Sequence, residues 1–214
     1  MDPERAAEEL KVIRQLMQRP VRYSTQSGLS GIVAGCAALL GLAADWAVCN
    51  AYAGSPRTAM RVNLGVWAGV FVVAFTAVCL ITRLRERAQG MPFWSPVKMR
   101  ILRAIAPPFL AGAGLTGAVM YRWYHGIGPN EWGLIPSIWM AFYGVALWQV
   151  GEFSAIETRL LGVAFIAAAL PVAAFWQYSI PGTEPGTAPY WTLGATFGGF
   201  HLIYGAIVWV RHGG

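Results

Sequence analysis

Charged residues are clustered along this chain, and six uncharged, largely apolar windows separate the clusters: 22 residues at 23–44, 21 at 62–82, 18 at 104–121, 20 at 132–151, 24 at 160–183 and 26 at 185–210. A helix needs about 20 residues to cross the hydrocarbon core of a bilayer. The pattern therefore predicts an all-α integral membrane protein with six transmembrane helices, over 28–49, 62–82, 101–121, 132–150, 160–177 and 190–210. These form one domain, 23–214. Trp46, Trp123, Trp132, Trp176 and Tyr190 fall at one set of span ends, and Trp94, Trp148 and Trp209 at the other. That is the interfacial placement amphipathic aromatic rings favour.

Ahead of the first window the period changes. Asp2, Pro3 and Glu4 read as an N-cap, a first-turn proline and a first-turn acid. Ala6, Leu10, Ile13 and Met17 then recur at three- and four-residue spacing until Pro20. Residues 1–22 are expected to form a short amphipathic helix on the cytoplasmic membrane face. No apolar secretory core precedes the first span, which is expected to act as its own insertion signal. Between the last two spans, three prolines and two glycines in 180–189 favour an extended connection.

Composition narrows the functional classes. Hydrophobic residues make up 56% of the chain and charged residues 12%, against about 25% charged in ordinary soluble domains. Too little polar sequence remains for a soluble enzyme, a disulfide-stapled secreted domain or a nucleic-acid-binding domain. The formal charge of +6 bears on orientation. Thirteen Lys and Arg fall on the side of the 83–100 connection and both termini, Arg103 at the start of the next span included, against Arg57, Arg61 and Arg122 on the other side. The excess places both termini in the cytoplasm. The expected location is the bacterial cytoplasmic (inner) membrane, with anionic headgroups as a further attraction for the basic run. Cys36, Cys49 and Cys79 lack metal-type spacing and are expected to be small packing residues.

The spans also echo one another. Ile32-Val33-Ala34-Gly35-Cys36, Phe109-Leu110-Ala111-Gly112-Ala113 and Phe165-Ile166-Ala167-Ala168-Ala169 share a large-large-Ala-small-small order. Tyr143-Gly144 through Trp148 is matched by Tyr204-Gly205 through Trp209. These matches suggest three helical hairpins in parallel, although Ala/Gly-rich helices also produce them by chance. The proline, acid and base signature of three-hairpin mitochondrial carriers is absent.

Candidate chemistry is sparse. There is no HxxxH, HExxH, P-loop or GxSxG, and only one histidine, His201, lies deep in a span. A b-type haem wants two at similar depth, so neither a cofactor nor a metal is expected. Asp45 continues a stripe with Gly31, Gly35, Ala38 and Leu42 that should face other helices. An outer ion pair between Asp45 and Arg122 is expected to neutralise it, with solvated exposure as the alternative. His201 lies near the midplane on a stripe with Gly194, Gly198, Gly205 and Val208. It should face protein and be hydrogen-bonded, either as a staple between helices or as a proton carrier. Pro107-Pro108, Pro136 and Pro171 are expected to kink their helices. Gln149 and Glu152 should lie at the inner headgroup level.

His201, Asp45 and Tyr204 thus form the candidate intramembrane polar site. The expected role is a non-enzymatic subunit or accessory protein of a membrane complex, in contact with lipid and with a membrane-protein partner or a second copy. The competing reading is a small transporter or channel with His201 and Asp45 in its path. Thr116, Thr196, Tyr204 and His201 line a polar path thinly, an objection that an apolar or amphiphilic substrate escapes.

Overall fold

The computed structural model describes residues 27–52, 54–90, 92, 94–128, 131–176 and 188–212. The amphipathic helix expected at 1–22 and most of the 180–189 connection lie outside the described residues. Six helices follow in order: α1 (Gly28–Ala51), α2 (Pro56–Ala88), α3 (Pro96–Tyr124), α4 (Ile135–Val150), α5 (Ile156–Ala174) and α6 (Ala188–His212), with a 3-10 turn, Trp132–Leu134, leading into α4. With that turn counted into α4, all six are long and apolar enough to cross a membrane. Among the described residues the fold is entirely helical.

Helix boundaries depart from the apolar windows where charge and helix breaking do not coincide. α2 runs 33 residues and α3 29, so at about 1.5 Å per residue they reach roughly 50 and 44 Å. Arg83, Arg85 and Arg87 end the apolar window without ending the helix. α2 stops only at Gln89-Gly90, where Gly90 takes a φ of 68° that side chains other than glycine's rarely adopt. α3 starts at Pro96, with Ser95 Oγ accepting from the Lys98 amide at 3.2 Å. The connection expected over 83–100 therefore shrinks to 89–95. Pro136 sits in the first turn of α4, where its missing N–H costs nothing, and so does not interrupt the helix. Pro107, Pro108 and Pro171 lie inside helices that continue past them.

Apolar side chains gain little by leaving lipid for protein, so close packing must hold the bundle. Two glycine-lined contacts supply it. On α1 the buried stripe is Gly28, Gly31, Gly35, Ala38, Gly41 and Asp45, and its first three glycines lie against α6. A Cβ at Gly28 would fall 2.5 Å from Gly205 O and one at Gly35 2.9 Å from Gly198 O, while one at Gly205 would fall 2.7 Å from Gly28 O. The second contact joins α4 to α5, where a Cβ at Gly144 would meet Gly162 O at 2.8 Å and one at Gly162 would meet Gly144 O at 2.7 Å. Between these pairs lies a core of Met140, Leu161, Phe165, Ala169 and Leu193. Cys36 and Cys79, expected to pack inside, are exposed, because they fall on helix faces turned away from these contacts.

α2 is built differently. Between the buried Asn63 and Glu86 no residue of α2 is buried, and its extensive packing is with α1, where Gly41 meets Val70. It is fixed near both ends by polar contacts. Asn63 donates its amide to the Asp45 carboxylate on α1, and Glu86, 1% exposed, is bonded by Lys98 of α3 and approached by Arg83 at 3.9 Å.

The glycine account is testable by thermal unfolding in mild detergent. Gly205→Val forces α1 and α6 apart and should lower stability by about 1–3 kcal/mol, the usual cost of overpacking. Gly65→Ala or Gly69→Ala, where a Cβ meets no atom within 4 Å, should leave it unchanged.

Candidate functional site

Because α2 packs along α1 but not against α3, α4 or α6, space remains beneath it. A cavity of about 380 Å³ runs there, walled by α2 on one side and by α1, α3, α4 and α6 on the others. Along α2 the wall extends from Asn63 to Val78, on the order of 22 Å at about 1.5 Å per residue. The volume falls within the roughly 300–1,000 Å³ of small-molecule sites. The wall is mostly aliphatic and aromatic: Phe71, Phe75 and Val78 from α2, Phe109 from α3, Trp139 from α4, Leu193 and Phe197 from α6. On the α3 side Phe71 and Phe109 approach each other, ring centroids 5.7 Å apart, an aromatic contact between side chains and not a packed backbone.

Polar groups reach this cavity at two levels. Near the α1–α2 connection, Asp45 (2% exposed) is hydrogen-bonded to Asn63 (3% exposed), and Asn63 lines the cavity. A carboxylate accepts only, so the amide nitrogen faces Asp45 and the amide oxygen faces away. Among the described residues that oxygen, Asn63 Oδ1, is buried with no hydrogen-bond partner, and so is Trp67 Nε1, one turn further along α2. A buried polar atom left unbonded costs about 1–3 kcal/mol, so two of opposite kind on one wall call for an explanation. Nearby, Thr116 Oγ1 donates to Gly112 O at 2.8 Å and keeps its acceptor capacity.

The second level is at mid-depth. His201, 6% exposed, has Nδ1 2.8 Å from Phe197 O and Nε2 2.7 Å from Tyr143 Oη. A carbonyl only accepts, so Nδ1 carries a proton. In the neutral ring Nε2 is then the acceptor for the Tyr143 hydroxyl. Tyr143 packs edge-on to Phe165 at 5.0 Å and Phe197 lies 4.9 Å away, which holds the pair rigid in the core.

The structure distributes the three residues of the sequence-predicted polar site. His201 lines the cavity, Asp45 reaches it through Asn63, and Tyr204 turns to α5, where its hydroxyl lies 3.2 Å from Thr158 Oγ1. Asp45 and Arg122 are not brought together. Arg122 bonds Glu131 at 3.2 Å across the α3–α4 connection, which leaves Asn63 as the partner of Asp45. Glu152 pairs with Arg159 at 3.2 Å in the α4–α5 turn.

Sequence reasoning missed Asn63, Trp67 and Tyr143. Asn63 is uncharged and adjoins Arg61, so a charge-based reading absorbs it into the span. Tyr143 had a usable signal: it lies 11 residues into 132–150, as His201 does into 190–210, and two helices running the same way place equal offsets at equal depth.

Among the described residues, no three His, Cys, Asp or Glu side chains cluster as a metal site requires. Comparison with known families, curated proteins and solved structures finds no match for this chain.

The His201–Tyr143 bond is checked by a double-mutant cycle on unfolding free energy. Tyr143→Phe strands Nε2 and should cost about 1–3 kcal/mol. Tyr143→Phe with His201→Leu removes both partners, and its cost should fall below the sum of the single changes.

Proposed function

We propose that this protein binds a bilayer-soluble amphiphile in the cavity beneath α2 and carries it within the membrane. One observation supports this most directly: a long, largely apolar cavity runs beside α2, walled by Phe71, Phe75, Phe109 and Phe197. An ion or polar solute would meet aromatic rings along most of that path, at the desolvation cost of any polar group in an apolar medium. An amphiphile matches the wall and can pass the Phe71–Phe109 contact directly from the bilayer. In this reading His201 is a staple between α4 and α6 and part of the cavity wall, since both its ring nitrogens are engaged.

The proposed setting is the cytoplasmic membrane of a bacterium. Both termini lie on the cytoplasmic side, on the thirteen-to-three basic excess. Asn63 and Trp67 then lie toward the outer leaflet.

A role as accessory subunit of a membrane complex rests on a separate observation. The face of α2 that carries Gly65 and Gly69 is open, with room for another helix to approach.

The two readings separate on purified material. Protein extracted in mild detergent should yield, by mass spectrometry of its organic extract, a small amphiphile in near-stoichiometric amount, and Ala74→Phe, which fills the cavity wall, should remove it. An extract holding only bulk membrane lipid, together with a stoichiometric co-purifying protein, would favour the subunit role and defeat the carrier.

A further inference from the structure

We infer that the cavity takes single-chain amphiphiles with an anionic head, the head held at the α2–α3 turn and the chain lying in the cavity. This deepens the carrier reading and rests on it.

The helices around the cavity form an open ring. α2 packs along α1, α1 along α6 and α3 along α4, but α2 and α3 do not pack on each other although they are consecutive. They come together at their shared turn, where Lys98 of α3 bonds Glu86 of α2. Further along, Phe71 and Phe109 both line the cavity and meet through their rings alone. The side of the cavity nearest lipid is thus bounded by side chains, and the turn lies at its foot. A volume of about 380 Å³, toward the lower end of small-molecule sites, suits one chain better than two.

Charge decides which end takes the head, and of which sign. Residues 83–103 carry six cations, Arg83, Arg85, Arg87, Lys98, Arg100 and Arg103, against one acid, Glu86. That acid is 1% exposed and engaged within the protein by Lys98, with Arg83 at 3.9 Å. Arg87, Arg100 and Arg103 are exposed. Basic residues clustered beside a spanning helix attract anionic heads by about five-fold each. The cluster is also continuous with the cavity. Phe71, Val78 and Arg85 follow at seven-residue spacing on α2, so the face that lines the cavity runs down to the turn. Arg85 lies about 10 Å along the helix from Val78.

The opposite end suits an anion less. Arg57 and Arg61 are there, but so is the Asp45 carboxyl, bonded to the cavity-lining Asn63. A cationic head meets basic residues at both ends, and an uncharged head gains from neither. Orienting the chain in the membrane also calls on the basic residues of the turn, but replacing three of the thirteen on that side keeps the excess that does so. Binding and topology therefore separate under substitution.

The test uses the full-length protein in nanodiscs of zwitterionic phosphatidylcholine with a photoreactive diazirine derivative of tetradecane, whose cross-links are mapped by mass spectrometry. The competitors are tetradecyl phosphate, 1-tetradecanol and tetradecyltrimethylammonium at equal content in the bilayer, and inorganic phosphate in solution. The probe should label cavity-lining residues of α2 and α3. Tetradecyl phosphate should displace it about five-fold more effectively than 1-tetradecanol, the ammonium less effectively than the alcohol, and inorganic phosphate not at all. Arg87→Gln, Arg100→Gln and Arg103→Gln together should remove the phosphate's advantage while the probe still labels, whereas Arg57→Gln with Arg61→Gln should keep it. In the unaltered protein the advantage should shrink at about 1 M salt, where the Debye length falls to about 3 Å. Equal displacement by phosphate and alcohol, stronger displacement by the ammonium, displacement by inorganic phosphate, or an advantage that survives the triple substitution or high salt would overturn the anionic-head inference and leave the carrier reading standing. Loss of the advantage with Arg57 and Arg61 would do the same, by moving the head to the other end. Cavity residues that go unlabelled, or whose labelling no chain displaces, would overturn the carrier reading and this inference with it.

Discussion

Two buried acids fix where α2 can lie. Asp45 on α1 and Glu86 on α2 each need a partner inside the protein, because a carboxylate in hydrocarbon is costly and an unbonded one more so. Asn63 answers the first and Lys98, with Arg83 nearby, the second. These contacts tie α2 to α1 near one end and to α3 near the other. Over the stretch between them α2 buries no residue. α2 packs along α1 but not against α3, α4 or α6, and this leaves a gap along its inner face. The cavity follows from this.

The rest of the bundle cannot yield to close that gap. Glycine carbonyls and amides meet directly where α1 crosses α6 and where α4 crosses α5, so neither pair can slide or separate without losing its contact. Tyr143 and His201 tie α4 to α6 within the aromatic core between those crossings. These contacts fix the far wall of the cavity, while on the α3 side Phe71 of α2 meets Phe109 through side chains alone. A rigid apolar wall facing a helix tied at both ends suits a molecule arriving sideways from lipid, the route the proposed function requires.

How far the sequence carried this account varies with the kind of signal. Six spans followed from charge-free windows, since burying charge in hydrocarbon is the strongest constraint a membrane imposes. Helix ends did not, because Arg83 to Arg87 mark the edge of hydrocarbon while Gly90 and Pro96 mark the edge of helix. The buried faces of α1 and α6 were legible from Gly31, Gly35 and Ala38 and from Gly194, Gly198, His201 and Gly205 at three- and four-residue spacing, while Gly28 and Gly41 on α1 were not read. Gly65 and Gly69 have the same spacing and meet nothing, so the motif alone does not name its partner. The candidate site was half legible. Asp45 and His201 stood out as ionisable groups, but their partners Asn63 and Tyr143 are neutral residues on other helices, and the partner assigned to Asp45 from charge, Arg122, has a nearer acid in Glu131. Unpaired atoms such as Asn63 Oδ1 leave no trace in a sequence.

The central claim is that α2 is held apart from α3 and α4 by its polar ties and that an amphiphile fills the space. An experimental density map of the native protein in a lipid nanodisc tests it most directly. Elongated density is expected along the inner face of α2, between Asn63 and Val78. A map in which α2 packs against α3 and α4 with no space between them would contradict it.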